Sequence, residues 1–236
     1  MKEEARSQIL GSIRRALKRG PVDEERQSAL EERLANPRPN LIPARAASLQ
    51  HAAQVDLFVA MAEEVQTTVA RVSSIAEVPG AVADYLAQSN LPSRLVMTPE
   101  PQLDEIPWDT RPMLEIRRGR AEDGDAAGIT GCFAAIAETG TLMLISGQRN
   151  PTRNNFLPDT HIVVMHGDQV VGTYEDGWTQ LRARQHTADG AFAMPRTVNF
   201  ITGPSRTGDI EQRIELGAHG PRRLHIVLID NGGTSP

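Results

Sequence analysis

The sequence predicts an α/β domain, an open and mostly parallel sheet flanked by helices, with a helical N-terminal arm. Three observations carry this. Short apolar, β-branched runs at 94–98, 161–165, 198–202 and 224–229 have the length of buried strands. Segments of helical period lie between them, and strands that alternate with helices pair in parallel. The 236 residues suffice for one sizeable core and an accessory segment.

Residues 3–19 place Ile9, Ile13 and Leu17 at helical spacing, with Arg14, Arg15, Lys18 and Arg19 late in the run. Cations suit that end of a helix dipole, and Gly20-Pro21 stops the helix. A charged helix over 23–35 follows, then the Pro-rich linker 36–43. Residues 1–45 are thus expected to form an arm, either mobile or used to grip another subunit, and 46–236 the α/β domain. Within that domain a long helix is expected over 46–72 and a short one over 79–88. A strand at 94–98, a loop at 99–112 and a strand at 114–117 come next. The apolar runs 132–137 and 141–145, joined by Glu138-Thr139-Gly140, read as a hairpin or sharp corner. After the 161–165 strand, Gly167-Asp168 has the look of a hairpin-type turn. A helix over 174–184 is expected, with Asp176, Trp178 and nearby His186 as surface or packing residues. The strand 198–202, a helix over 208–216 and the strand 224–229 close the chain.

Thirty acidic residues against 25 basic ones leave a formal charge of −5, without the basic footprint that nucleic-acid binding needs. No apolar run approaches the roughly 20 residues of a membrane span. The start, Met1-Lys2-Glu3-Glu4, lacks a following apolar stretch, so a cytoplasmic location is the default expectation. Cys132 is the only cysteine and can hold neither an internal disulfide nor a cluster by itself. The six histidines include no His-x-x-x-His pair, so no metal centre is expected in this chain. No Gly-x-Gly-x-x-Gly follows a strand, which argues against a nicotinamide site.

The segment 201–211 carries the most chemistry. If a strand runs through Gly203-Pro204-Ser205-Arg206-Thr207 into a helix start, free N–H groups and the dipole invite an anion. Gly203, Ser205, Arg206 and Thr207 then cradle a carboxylate or phosphate, with the guanidinium as principal donor. The same pattern also fits a capped helix start, with Ser205 or Thr207 as N-cap and Asp209 and Glu211 in the first turn. Glu138 sits at a turn where Gly140 permits a bend, offering a nucleophile, general base or hydroxyl acceptor beside Thr139. Its alternative is a solvated carboxylate. His219 could titrate near neutrality or simply bond a carbonyl in its turn. A helix between Arg206 and His219 would hold them roughly 15 Å apart, so joining them would need a second subunit. Arg153, in the polar loop 150–155, could join the anion site or belong to a plain turn.

Several blocks together resemble one family: Ala137-Glu138-Thr139-Gly140-Thr141, Leu157-Pro158 with His161-Ile162, Thr202 to Glu211, and Gly217-Ala218-His219-Gly220-Pro221. Their order and spacing are similar to the LUD domain of the lactate utilisation protein C family, over about 46–230. Gly208 stands where that family usually has alanine, a mild departure. The resemblance implies a NagB/RpiA/CoA-transferase-like fold and a role in bacterial oxidation of L-lactate to pyruvate. It also implies two partner proteins that carry the iron–sulfur clusters, with no cofactor in this chain. CoA transferases of that fold are similar in using a Glu near a Gly as nucleophile. Three functions stay open: a subunit that binds a small 2-hydroxy or 2-oxo acid, a non-catalytic assembly subunit, and a CoA-thioester or sugar-phosphate enzyme by fold analogy alone.

Overall fold

The computed structural model describes residues 2–18, 20–39, 41–184, 194–210 and 213–230. The chain divides into two compact units, Met1–Leu41 and Ile42–Pro236.

The first unit holds α1 (Lys2–Ala16) and α2 (Glu24–Ala35). The carboxylate of Asp23 caps α2 by accepting the Arg26 N–H at 2.7 Å. In α1 the apolar residues Ile9, Leu10 and Ile13 are exposed, as is Leu17 just beyond its end.

The second unit opens with α3 (Ala44–Ala47) and α4 (His51–Glu64), followed by β1 (Thr68–Val72), α5 (Val78–Gln88) and β2 (Arg94–Met97). Next come α6 (Pro101–Asp104), β3 (Glu115–Arg118), β4 (Ala127–Thr130), β5 (Ala134–Ile136) and β6 (Thr141–Ile145). The remainder is α7 (Arg153–Phe156), β7 (Thr160–His166), β8 (Val170–Val171), α8 (Tyr174–Arg184), β9 (Val198–Ile201), β10 (Arg206–Ile210), β11 (Arg213–Leu216) and β12 (Arg223–Ile229).

The main sheet has the order β1-β12-β7-β4-β2-β3, and every neighbouring pair is parallel. Its central strands β7 and β12 are buried almost end to end, as a sheet covered on both faces requires. The edge strand β3 carries Glu115, Arg117 and Arg118, charges that discourage further pairing. A second sheet, β8-β5-β6-β9, is mixed.

Three apolar clusters define the layers. Val82, Leu86 and Leu103 of α5 and α6 pack on Leu95, Ile129, Ile162 and Val227, one face of the main sheet. The opposite face, Val163, Met165, Ile226 and Leu228, meets α4 through Phe58 and the second sheet through Ala135 and Leu142. The far side of the second sheet, Ile136 and Met143, packs on Leu181 of α8.

Several sequence expectations need correction. The long helix expected over 46–72 stops at Glu64. Gln66 takes φ +69°, and the β-branched Thr67, Thr68 and Val69 then enter strand β1. Strand β4 was missed because its Ala-Gly-Ile-Thr sequence is short and contains glycine, although all four residues are buried. Gly167–Gln169 is a single 3-10 turn that carries the chain from β7 in one sheet to β8 in the other, so it closes no hairpin. The helix expected over 208–216 is instead the antiparallel hairpin β10–β11, paired through Arg206–Leu216, Thr207–Glu215 and Ile210–Arg213. Ile210 and Ile214 mimic a helical repeat, but Thr207-Gly208 gives little helix propensity where it would have to start. His186 and Glu211 lie outside the described residues.

Candidate functional site

The strand order places a topological switch point between β2 and β4. From β2 the chain moves outward to β3, whereas from β4 the next main-sheet strand is β7 on the other side. Connections that diverge leave a crevice at the strand C-termini, where ligands of open α/β sheets bind. A cleft of about 190 Å³ opens there, walled by Thr98, Glu100 and Gln102 after β2, by Thr130 at the end of β4, and by Gly131 and Cys132 after it. Asn150, Asn155, Gln169 and Arg184 add polar groups from other elements. Cys132 is buried, and burial together with the negative charge of Glu100 and Asp168 pushes its thiol well above its ordinary range. It stays protonated and is a poor nucleophile.

A second cleft, of about 350 Å³, lies at the opposite end of the main sheet. Its walls include His161 and Leu224 at the N-terminal ends of β7 and β12, the loop Thr202–Arg206, and His219 to Pro221. The hairpin assembles these parts. Gly217 N–H donates to the Ser205 carbonyl at 3.0 Å, and Ser205 N–H donates to the Pro221 carbonyl at 2.8 Å. The chain leaves and returns at one place, so Arg206 and His219 line the same cleft within a single chain. This overturns the separation of roughly 15 Å that a helix would have imposed. It also removes the helix N-terminus on which the anion cradle was predicted. Any anion here must rely on side chains and loop amides.

Those side chains are suited to the task. The cleft is lined by one arginine, two histidines, a serine and a threonine, and by no carboxylate. Arg206 donates through Nη2 to the Val65 carbonyl at 2.9 Å, which anchors the guanidinium at the rim. His161 is wholly buried, with Nε2 2.8 Å from Thr130 Oγ1. Its Nδ1 is buried without a hydrogen-bond partner among the described residues. Burial depresses its pKa from 6.5 to about 4, so the ring is neutral and Nδ1 can accept or, in the other tautomer, donate.

The other sequence candidates are placed elsewhere. Gly203, Ser205, Arg206 and His219 line this cleft; Thr207 lies beyond it on β10. Glu138 lines neither cleft. It is buried, and Oε1 accepts the Tyr174 N–H at the start of α8 at 3.2 Å. Thr139 Oγ1 lies 2.7 Å from Thr141 Oγ1, and both hydroxyls lie 3.0 Å from the Tyr174 hydroxyl. Gly140 packs on the backbone of α4. Arg153 pairs with Asp123 at 2.5 Å, while its neighbour Asn155 lines the switch-point cleft. Sequence reasoning missed Glu100, Thr130, His161 and Arg184. Glu100 carried a signal as an acid two residues beyond a predicted strand end, and His161 stood in a family-resembling block without being read as a site residue. Among the described residues no three His, Cys, Asp or Glu side chains are grouped to hold a metal ion, and no helix is long and apolar enough to cross a membrane.

Comparison with known proteins agrees with this architecture. A solved structure of a DUF162 family protein from Deinococcus radiodurans matches 76% of this chain and 98% of its own, with a TM-score of 0.55 and 28% identity. Lactate utilization protein C of Deinococcus radiodurans is 32% identical over 160 residues, covering 66% of this chain and 70% of that protein. Lactate utilization protein B of Geobacillus kaustophilus is 33% identical over 108 residues, 46% of this chain but only 21% of its own length. An uncharacterized electron transport protein of Escherichia coli, YkgF, is 33% identical over 121 residues, 50% of this chain and 24% of that protein. The B-type and electron-transport relatives therefore extend far beyond the matched region. The LUD domain family model matches residues 55–229, and the chain belongs to that family.

Proposed function

We propose that this chain serves L-lactate utilisation by holding a small 2-hydroxy or 2-oxo acid in the cleft of Arg206 and His219, alongside partner proteins that carry iron–sulfur clusters. One observation carries the ligand reading: a guanidinium and an unpartnered buried histidine nitrogen share a cleft whose lining contains no acid. Arg206 and Ser205 receive the carboxylate, a charge-assisted pairing. His161 Nδ1 accepts the hydroxyl of the hydroxy acid, or donates to the carbonyl of the oxo acid in its other tautomer. Glu138, the sequence's candidate for the hydroxyl, is replaced in that role by His161, because its carboxylate is engaged at the start of α8. The names of the relatives support the pathway.

A ligand at a hundred times its Kd stabilises the folded state by about 2.7 kcal/mol, enough to read as a thermal shift. L-Lactate or pyruvate at millimolar concentration is expected to raise the melting temperature, and Arg206→Ala to cancel the rise. No shift with either acid, or an equal shift in the variant, rejects the reading.

A second reading, an assembly subunit, is favoured by the exposed apolar residues Ile9, Leu10 and Ile13 of α1, with Leu17 just after it. Removing residues 1–41 is then expected to abolish co-purification with the cluster-bearing partners and leave thermal unfolding of the remainder intact. Undiminished co-purification would reject it.

A further inference from the structure

We infer that the switch-point cleft is a second binding site, built for a small α-amino acid, with its ammonium group on Glu100 and its carboxylate on Arg184. The inference does not rest on the lactate reading, since the two clefts share no lining residue.

Glu100 carries the argument. Its side chain is almost fully buried, with 7% exposure, yet it faces the cleft. Oε1 accepts from Thr98 Oγ1 at 2.7 Å and from the Gly131 N–H at 3.0 Å, and Oε2 accepts from Gln102 Nε2 at 3.2 Å. All three donors are neutral. Among the described residues no cation forms an ion pair with it. A buried carboxylate is stable when a positive group matches it. A carboxylate offers about four acceptor positions, so Oε2 retains room for a donor from the cleft. A compact cation such as a ligand ammonium is the group that both matches this charge and fits the open acceptor position of Oε2.

The surroundings are shaped around that carboxylate. A Cβ on Gly131 would lie 1.9 Å from Gln102 Nε2 and 2.8 Å from Glu100 Oε2, so glycine is what lets both side chains fold over the exit of β4. On the cleft wall, Arg184 sets its guanidinium 5.1 Å from the centre of the Phe133 ring. The guanidinium carbon thus sits over an apolar ring at the cleft wall, and its N–H groups are the charge-assisted donors the lining offers a carboxylate. The cleft thus presents one negative and one positive group, with the amides of Asn150, Asn155 and Gln169 around them. At about 190 Å³ it lies below the usual range of drug-sized pockets and suits a metabolite of a few heavy atoms. An amino acid differs from the hydroxy acid of the same skeleton by an ammonium in place of a hydroxyl. A hydroxy acid leaves the charge of Glu100 unmatched, so this cleft selects against lactate.

Thermal shift of the full chain with glycine, L-alanine and L-serine tests the assignment, with propionate and ethylamine as controls bearing one charge each. At least one amino acid is expected to raise the melting temperature while neither control does. Glu100→Gln and Arg184→Ala are each expected to weaken binding tenfold or more, and Arg206→Ala to leave it unchanged. Should Glu100→Gln not fold, the exposed Arg184→Ala variant decides. A null response to all three amino acids overturns the proposal and leaves Glu100 as a staple between β2 and β4. A response to ethylamine or propionate as large as to the amino acids also overturns it, as does a response that survives Arg184→Ala.

Discussion

Acidification from pH 7 to pH 4 is expected to remove about 6 kcal/mol of stability through two buried histidines, a large part of the 5–15 kcal/mol typical of a folded domain. Burial alone lowers the pKa of His161 from 6.5 to about 4. Burial also takes His225 to about 4, against a smaller opposing contribution from its contact with Thr68. His225 is stacked on Tyr85 of α5 with ring centroids 3.8 Å apart, and its Nδ1 lies 2.8 Å from Thr68 Oγ1. In both cases the folded-state pKa lies below the unfolded one. Below about pH 6.5 the unfolded chain takes up protons that the folded chain refuses until about pH 4. Stability is therefore complete above pH 6.5 and falls as pH drops through that window, by about 3 kcal/mol per ring. Denaturant titrations at pH 7, 6, 5 and 4 measure the slope directly. His225→Phe keeps a ring against Tyr85 but does not titrate, so it should roughly halve the slope. An unchanged slope in that variant, or flat stability between pH 6.5 and 5, would show that the rings are not held neutral by burial.

Gly140→Ala is expected to destabilise the fold by about 3 kcal/mol or more, from overpacking and a left-handed backbone combined. Gly140 takes φ +64°, and a Cβ there would lie 2.3 Å from Ala62 N and 2.5 Å from the Met61 carbonyl carbon. Both atoms belong to the backbone of α4 and cannot swing aside. A loss of that size lowers the melting temperature of a chain this long by roughly 10 °C. Gly208→Ala, with no atom within 4 Å of the new Cβ, is the matched control and should be tolerated. If the two variants melt together, the close approach of the β5–β6 turn to α4 is refuted. The Glu138-Thr139-Gly140 turn thus works mainly in packing: its glycine seats the hairpin on α4, while Glu138 and Thr139 tie it to Tyr174.

Much of the architecture was legible because it is written locally. The runs at 94–98, 161–165 and 224–229 are built around consecutive apolar residues (Leu95 to Met97, Ile162 to Met165, Ile226 to Ile229), and a strand buried on both faces accommodates such runs. The antiparallel pairing of β5 and β6 followed from two apolar runs around a glycine turn. Boundaries failed where local signals were ambiguous. The Ala- and Val-rich stretch before Glu64 runs on into Thr67-Thr68-Val69 with no helix-breaking proline, and the change of structure shows only in the φ of Gln66.

The candidate sites divide the same way. Ser205, Arg206 and His219 were recognisable from the chemistry of their side chains, but the element joining them was misread. The spacing of Ile210 and Ile214 serves a helix as well as a hairpin, and the decision came from Ser205, whose backbone binds Gly217 and Pro221 at the hairpin's base. That exchange turned two groups expected to be far apart into walls of one cleft.

By itself the sequence determined the class of the fold, its alternation of strands and helices, and the family to which it belongs, since each depends on composition and spacing within a short window. Tertiary structure alone decided which side chains share a cleft. Glu100 meets Gly131 across 31 positions of chain, and Thr130 meets His161 across another 31. Such contacts exist only after the sheet has chosen its strand order, because their partners are brought together by pairing between strands that no local pattern encodes.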